Sequence, residues 1–219
     1  MEDAPSVRYA TEVGEQRNLM LEDGSVVVLD TASVLQVRYD KRERSLTLQQ
    51  GRASFEVRQD PGRPFVVRMA SGAVTAVGTQ FQVQVENSVD TVTLLEGKVR
   101  VEAADSKNAS AVTLTPGQRI VIGRGELGQR QQIPDAELAR ARGWTKGNLV
   151  IQDMPLQSVV AEMNRYSTTK LRLDGAGLGD IPISGLFKAG DQQSFAMSLE
   201  YGWSLRAERS TSEIVLRRK

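Results

Sequence analysis

The chain of 219 residues contains no cysteine and no histidine. The first absence excludes a disulfide framework, cysteine-ligated zinc and thiol catalysis. The second removes the commonest general base and the commonest metal ligand together, leaving carboxylates, lysine, tyrosine and hydroxyl groups for any chemistry. Charge of one sign is also lacking: the formal net charge is +1, too little for a protein held to nucleic acid by phosphate contacts. No run approaches the roughly 18 apolar residues that span a bilayer, and Met1-Glu2-Asp3-Ala4-Pro5 is not a charged-then-apolar export signal. These terms leave a cytoplasmic protein or a soluble piece of a longer chain.

What is present is ordinary globular material, 40% apolar and 25% charged, enough for packed cores. Its length suits two domains. The most patterned stretch runs from Ala53 to Val85. Phe55 and Val57, Phe65 and Val67, then Val74, Val77, Phe81, Val83 and Val85 alternate with small or polar residues, the period-two signature of half-buried strands. Asp60-Pro61-Gly62 and Ser71-Gly72 supply the reversals. Upstream, Leu19, Leu21, Val26, Val28, Val34, Leu35 and Val37 alternate around the turn Glu22-Asp23-Gly24, and the charged corner Asp40–Arg44 is expected to face solvent.

A turn device recurs as Leu21-x-x-Gly24, Leu48-x-x-Gly51, Leu94-x-x-Gly97 and Leu114-x-x-Gly117. Each leucine closes a strand on the core and each glycine redirects the backbone. The spacings are unequal, which excludes a regular solenoid but marks one all-β core over residues 8–122.

Residues 123–148 shift toward Gly, Gln, Arg and Glu and read as a linker with a short helix over Pro134–Arg142, ending at Gly143. From residue 149 to 219 strands and helices alternate. Leu149–Ile151 reads as a strand, and Asp153-Met154-Pro155 opens a helix carrying Leu156, Val159, Val160 and Met163. Strands follow at Lys170–Leu173 and Ile181–Phe187, then a helix over Gln192–Tyr201 ended by Gly202, then a hairpin of Trp203–Glu208 and Glu213–Arg218. The fold class is mainly β: an N-terminal all-β antiparallel domain, sandwich or solenoid-like, followed by a small α+β domain of order βαββαββ.

Few constellations carry chemistry. Gly123-x-Gly125-x-x-Gly128 has the spacing of a dinucleotide fingerprint but opens no helix, so a flexible connection is the better reading. Asn108-Ala109-Ser110 is a glycosylation tripeptide of the kind that arises by chance. The acidic residues are scattered, with no pairing that supports a metal or a glycosidase site, and no cofactor is expected. Trp144 and Trp203 stand at domain edges, where an aromatic packs elements together. Gly78-Thr79 is the sharper site. A threonine hydroxyl can attack the preceding carbonyl where the peptide is strained, against the plainer reading of a small-residue bend between strands.

Taken together, Gly51-x-Ala53-x-Phe55-x-Val57, Arg63-Pro64-Phe65-x-Val67, Val77-Gly78-Thr79-x-Phe81-x-Val83 and Leu94-Leu95-Glu96-Gly97-x-Val99-x-Val101 resemble the periplasmic region of FecR-type sigma-factor regulators. Gly14-Glu15-Gln16-Arg17, Asp23-Gly24-Ser25 and Leu114-x-Pro116-Gly117-Gln118 fit the same pattern. Trp144-x-x-Gly147-x-Leu149, Met154-Pro155-Leu156, Asn164-Arg165-Tyr166 and Ile183-Ser184-Gly185-x-Phe187 extend it into a module similar to the secretin and TonB short N-terminal domain.

The resemblance implies the periplasmic part of a single-pass inner-membrane anti-sigma factor. Its extracytoplasmic-function sigma factor would be bound by a cytoplasmic domain absent from this chain. Its signal would come from the N-terminal signalling domain of a TonB-dependent outer-membrane transporter, commonly one for iron chelates such as siderophores. Some members cut themselves between a Gly and a Thr, which Gly78-Thr79 matches. The chain is then a binding module rather than an enzyme, with Leu171, Arg172, Leu173, Ile183, Leu186, Phe187 and Trp203 as the expected partner interface. The alternative is an envelope structural or secretin-like assembly module.

Overall fold

The computed structural model describes residues 6–86, 89–104, 111–123 and 126–219. The glycosylation tripeptide at 108–110 and part of the glycine motif, residues 124 and 125, lie outside them. The chain divides into two compact units, one of residues 1–12 and 16–138, the other of residues 13–15 and 139–219.

In the first unit the long strand β5 (Arg44–Glu56) is the spine, entered from β1 (Ser6–Ala10), β2 (Arg17–Met20), β3 (Val26–Leu29) and β4 (Val34–Tyr39). It is followed by β6 (Phe65–Arg68), β7 (Gly72–Ala76), β8 (Gln80–Glu86), β9 (Val89–Glu96), β10 (Val99–Ala103), β11 (Ala111–Leu114) and β12 (Gln118–Gly123). The first half of β5 belongs to a sheet ordered β1-β4-β5-β6-β7-β10-β11. The second half belongs to another, β2-β3-β5-β8-β9-β12. The changeover falls where Val34 pairs with Gln50 but Leu35 pairs with Leu48, so one residue of β5 bulges, and Gly51 takes φ +86° beside it. Both sheets turn their apolar faces onto one core. Phe55 stacks on Phe81 at 5.0 Å and meets Phe65 of the other sheet edge-on at 6.0 Å.

All four Leu-x-x-Gly units behave alike: the leucines are buried and the glycines have φ between +81° and +86°. Three details depart from the sequence reading. Val27 and Leu29, not Val26 and Val28, face the core, because four consecutive apolar residues carry no parity signal of their own. Val77 lies beyond the end of β7, free of the sheet's alternation, and is exposed. The turn at Asp60 makes no hairpin, since β6 pairs parallel to the first half of β5, Phe65 opposite Arg44.

Arg44, placed by its neighbours in a solvated corner, is instead wholly buried. Its Nη1 donates to Asp23 Oδ2 at 2.6 Å and to the Arg58 carbonyl at 2.9 Å, its Nε donates to the Arg63 carbonyl at 2.9 Å, and its guanidinium lies 5.4 Å over the Phe65 ring. A charge this buried survives only when paired and hydrogen-bonded.

Within the segment read as a connection, β13 (Glu126–Leu127) and β14 (Gln131–Gln132) both pair with β12, and Ile133 is buried. Of the glycine motif, Gly123 ends β12 opposite Glu126, and the next helix, α1 (Asp135–Gly143), starts seven residues after Gly128. A single 3-10 turn, Trp144–Lys146, follows, with Trp144 buried.

The second unit continues with β15 (Asn148–Pro155), α2 (Leu156–Arg165), β16 (Lys170–Leu173), β17 (Pro182–Lys188), α3 (Gln192–Gly202), β18 (Leu205–Arg209) and β19 (Glu213–Arg218). The order is βαββαββ. β15 pairs antiparallel with β17, while β16 and β18 flank β19. Asp153, Met154 and Pro155 extend the strand rather than opening the helix; the ladder breaks after Ile151, where Asp153 takes φ +48° and its N–H donates to Ser184 Oγ at 2.9 Å. Helix α2 buries Leu156, Val159, Val160 and Met163 along one stripe. Helix α3 is capped by Asp191, whose Oδ1 accepts from Ser194 N–H at 3.0 Å; that bond holds the Asp191 carboxyl below its usual range. It ends on Gly202, but the reversal that follows rests on Ser204 at φ +54°.

Candidate functional site

Residues 77–79 join β7 to β8. The bend needs a glycine, since Gly78 has φ +67° and a Cβ there would lie 3.2 Å from Gln59 Cβ. Thr79 is pinned through its backbone, its carbonyl accepting from Val57 N–H at 2.9 Å. Gly78 is exposed, whereas Thr79 is 5% exposed. Thr79 Oγ1 is buried and has no hydrogen-bond partner in the protein, a condition shared among the described residues with Gln192 Oε1 alone. Buried hydroxyls are nearly always paired, so an unpaired one directly after a positive-φ glycine is an energetic cost in need of a cause.

Gly97, in the turn from β9 to β10, closes the other side. A Cβ on it would fall 2.7 Å from Thr79 Cγ2 and 3.1 Å from the Gly78 carbonyl oxygen. Sequence reading singled out Gly97 as one of four similar turns and as part of the motif Leu94-Leu95-Glu96-Gly97; nothing in the spacing signals that its bare face lies on the Gly78–Thr79 pair. Chemically, the bend presents an uncommitted hydroxyl, a carbonyl at an exposed residue and a tightly fixed main chain.

The expected partner interface of the second unit separates into two groups. Leu171 and Ile183 are core residues, 3% and 0% exposed, because they occupy the inward parity of β16 and β17. They can offer a partner only their backbones. Leu173, Phe187 and Trp203 are half-buried against the same core, and Phe187 meets Phe195 edge-on at 4.9 Å. Arg172 and Leu186 point outward, Leu186 at 68% exposure. Among the described residues β16 pairs only with β19 and β17 only with β15, so both are edge strands with unspent backbone groups. The outer face of the three-stranded sheet is laced with ion pairs: Arg172 with Glu213, and Arg217 with Asp174 and Glu208. The sequence reading missed Met197 and Tyr201, exposed one turn apart on α3; their spacing off the Phe195–Leu199 stripe was the available signal. Among the described residues no helix is long and apolar enough to cross a membrane.

No curated protein matches the chain. Two solved structures from Parabacteroides distasonis ATCC 8503, each described as a candidate anti-sigma factor, share its fold. One superposes with a TM-score of 0.75 at 24% identity, covering 98% of this chain and 100% of its own. The other gives 0.73 at 25% identity, covering 97% and 99%. Residues 7–100, which contain the Gly78–Thr79 bend and Gly97, match the family described as FecR protein.

Proposed function

We propose that the chain is the periplasmic signalling region of a FecR-type anti-sigma regulator, one that controls an extracytoplasmic-function sigma factor in response to a TonB-dependent outer-membrane transporter of the iron-siderophore class. The observation that carries this reading is the FecR match over residues 7–100, joined to a likeness of fold that extends over nearly the whole chain to candidate anti-sigma factors. The βαββαββ order of the second unit supports its assignment as a module like the secretin and TonB short N-terminal domain. The transporter's signalling domain docks there by adding backbone to a free edge, β16 or β17, with Arg172 and Leu186 as side-chain contacts. Titration calorimetry of the whole chain against the cognate signalling domain tests it: binding that weakens with Arg172→Glu or Leu186→Lys is expected. Absence of binding, together with rings or filaments at micromolar concentration in sedimentation, would replace it with the assembly-module reading.

The Gly78–Thr79 bend is assigned self-cleavage. Thr79 Oγ1 attacks the Gly78 carbonyl carbon, its proton passes to the Thr79 nitrogen, and the C–N bond breaks, leaving an ester and a free amine. Water then attacks the ester, the C–O bond breaks, and the products are a Gly78 carboxylate and an intact Thr79. The unpaired hydroxyl and the positive φ at Gly78 support this assignment. Mass spectrometry of the incubated protein is expected to find residues 1–78 and 79–219 as separate pieces, absent from Thr79→Ala. A wild-type chain that stays whole refutes it.

A further inference from the structure

We propose that Gly97 is a positioning residue for scission of the Gly78–Thr79 bond, an inference that rests on the self-cleavage assigned above. A turn at φ +85° already accounts for a glycine at this position. The surroundings ask for more. Among the four Leu-x-x-Gly turns, a Cβ on Gly24 would first meet the end of the Arg58 side chain, on Gly117 the Gln132 amide, and on Gly51 the Ser33 hydroxyl. Gly97 alone of the four lies against a residue pair flanking a candidate scissile bond: Thr79 Cγ2 at 2.7 Å, the Gly78 carbonyl oxygen at 3.1 Å and Thr79 Cα at 3.2 Å from the added carbon.

The consequence follows from threonine's branching. Its Cβ carries a methyl and a hydroxyl, so whatever holds Cγ2 also fixes the direction of Oγ1. The bare face of Gly97 gives the methyl a seat. With the methyl seated, Oγ1 points where no donor or acceptor competes for it, which is the condition in which it is found. Any side chain at 97 must turn the threonine about χ1 or part the strands. Either moves the nucleophile relative to the carbonyl, and intramolecular attack is steep in such displacements, a shift of about 1 Å costing on the order of a hundredfold.

The test uses the whole chain, freshly purified, with fragment formation followed by mass in wild type, Thr79→Ser, Gly97→Asn and the double variant. Asparagine tolerates positive φ better than other side chains, so Gly97→Asn keeps the turn while adding the Cβ. It is expected to slow cutting at least about tenfold. Serine has no methyl for Gly97 to seat, so Thr79→Ser cuts more slowly than wild type while folding as wild type. Because serine also lacks the colliding atom, the double variant recovers to within about threefold of Thr79→Ser alone, a rescue that strain in the turn by itself does not produce. Cutting of Gly97→Asn at the wild-type rate overturns the positioning role, as does Thr79→Ser cutting as fast as wild type, a comparison that stands even where the Gly97 variants do not fold. A wild-type chain that never cuts removes the cleavage reading itself, and the role of Gly97 with it.

Discussion

Arg44 and Asp23 form an ion pair sealed inside the β domain, their side chains 0% and 4% exposed and their atoms 2.6 Å apart. The pair ties the start of β5 to the turn between β2 and β3. Both ends are satisfied: Arg44 by the carbonyls of Arg58 and Arg63, Asp23 by the Ser25 N–H and hydroxyl and by the Tyr39 hydroxyl. Removing one partner leaves an uncompensated buried charge, so Arg44→Met is expected to cost about 3–5 kcal/mol in urea unfolding. Replacing both ends by apolar residues of similar volume should cost less than either single change. An Arg44→Met chain as stable as wild type would mean that the pair is not sealed from water.

The same cluster sets an expected pH dependence. Burial works to raise the Asp23 carboxyl, but hydrogen bonds from the Ser25 hydroxyl, Arg44, the Ser25 N–H and Tyr39 outweigh it and hold the group below its ordinary range. In the unfolded chain Asp23 takes its proton near pH ~3.9, while the folded chain resists, so stability is lost as pH falls from there. Tyr39 responds at the other end. Burial first, then the Asp23 charge, push its hydroxyl far above the usual value, so stability is lost as pH rises past ~10, where the unfolded tyrosine ionises. Asp23→Asn should flatten the acid limb and Tyr39→Phe the alkaline limb of stability against pH.

Gly51 marks where β5 leaves one sheet for the other. A Cβ there would lie 2.0 Å from Ser33 Oγ and 2.7 Å from Ser33 Cα, at a φ of +86°. Rotating the serine relieves only the first contact, because the second is backbone. Gly51→Ala is therefore expected to destabilise by more than about 2 kcal/mol, and Ser33→Ala should not rescue it. Chemical denaturation of the three variants decides this.

Much of the fold is legible before any coordinates, for identifiable reasons. Period-two alternation located Phe55, Phe81 and Val83 in the core because each has polar neighbours that fix its parity. The apolar run Val26–Leu29 carries no such contrast, and its facing had to come from pairing with β5. Arg44 was hidden by its company: nothing in Asp-Lys-Arg-Glu-Arg separates the last residue from the other four, and its burial depends on Asp23, distant in sequence. Gly78–Thr79 stood out in the sequence as a dipeptide, whereas the approach of Gly97 to it comes from sheet register and leaves no local trace.

On the second unit, Leu186 is the exposed apolar residue of an edge strand, and Arg172 the charged one. Neither supports the core, and the ion pair of Arg172 with Glu213 is solvent-exposed and of small worth. Leu186→Lys and Arg172→Glu are expected to shift stability by no more than about 0.5 kcal/mol and yet weaken capture of the proposed partner, a transporter's signalling domain. Unchanged affinity in both variants, with the fold intact by circular dichroism, would move the docking surface away from β16 and β17.

The unpaired hydroxyl of Thr79 makes the sharpest expectation, because it reverses the usual sign of a core substitution. Thr11 is the internal control. It is nearly as buried as Thr79, and its hydroxyl is engaged, accepting from Ser33 N–H at 2.9 Å and donating to the Asp30 carbonyl. Thr11→Val leaves a buried backbone N–H and a carbonyl short of a partner and should cost about 1–3 kcal/mol. Thr79→Val removes a polar atom that has no partner while keeping the methyl that packs on Gly97, so it is expected to stabilise the uncut chain by about 1 kcal/mol. It also removes the proposed nucleophile. Gain of stability with loss of cutting, in one substitution measured by urea unfolding and by mass, is the mark of a residue kept for chemistry at the expense of the fold. A Thr79→Val chain that is less stable than uncut wild type would mean that the hydroxyl is held by a partner after all.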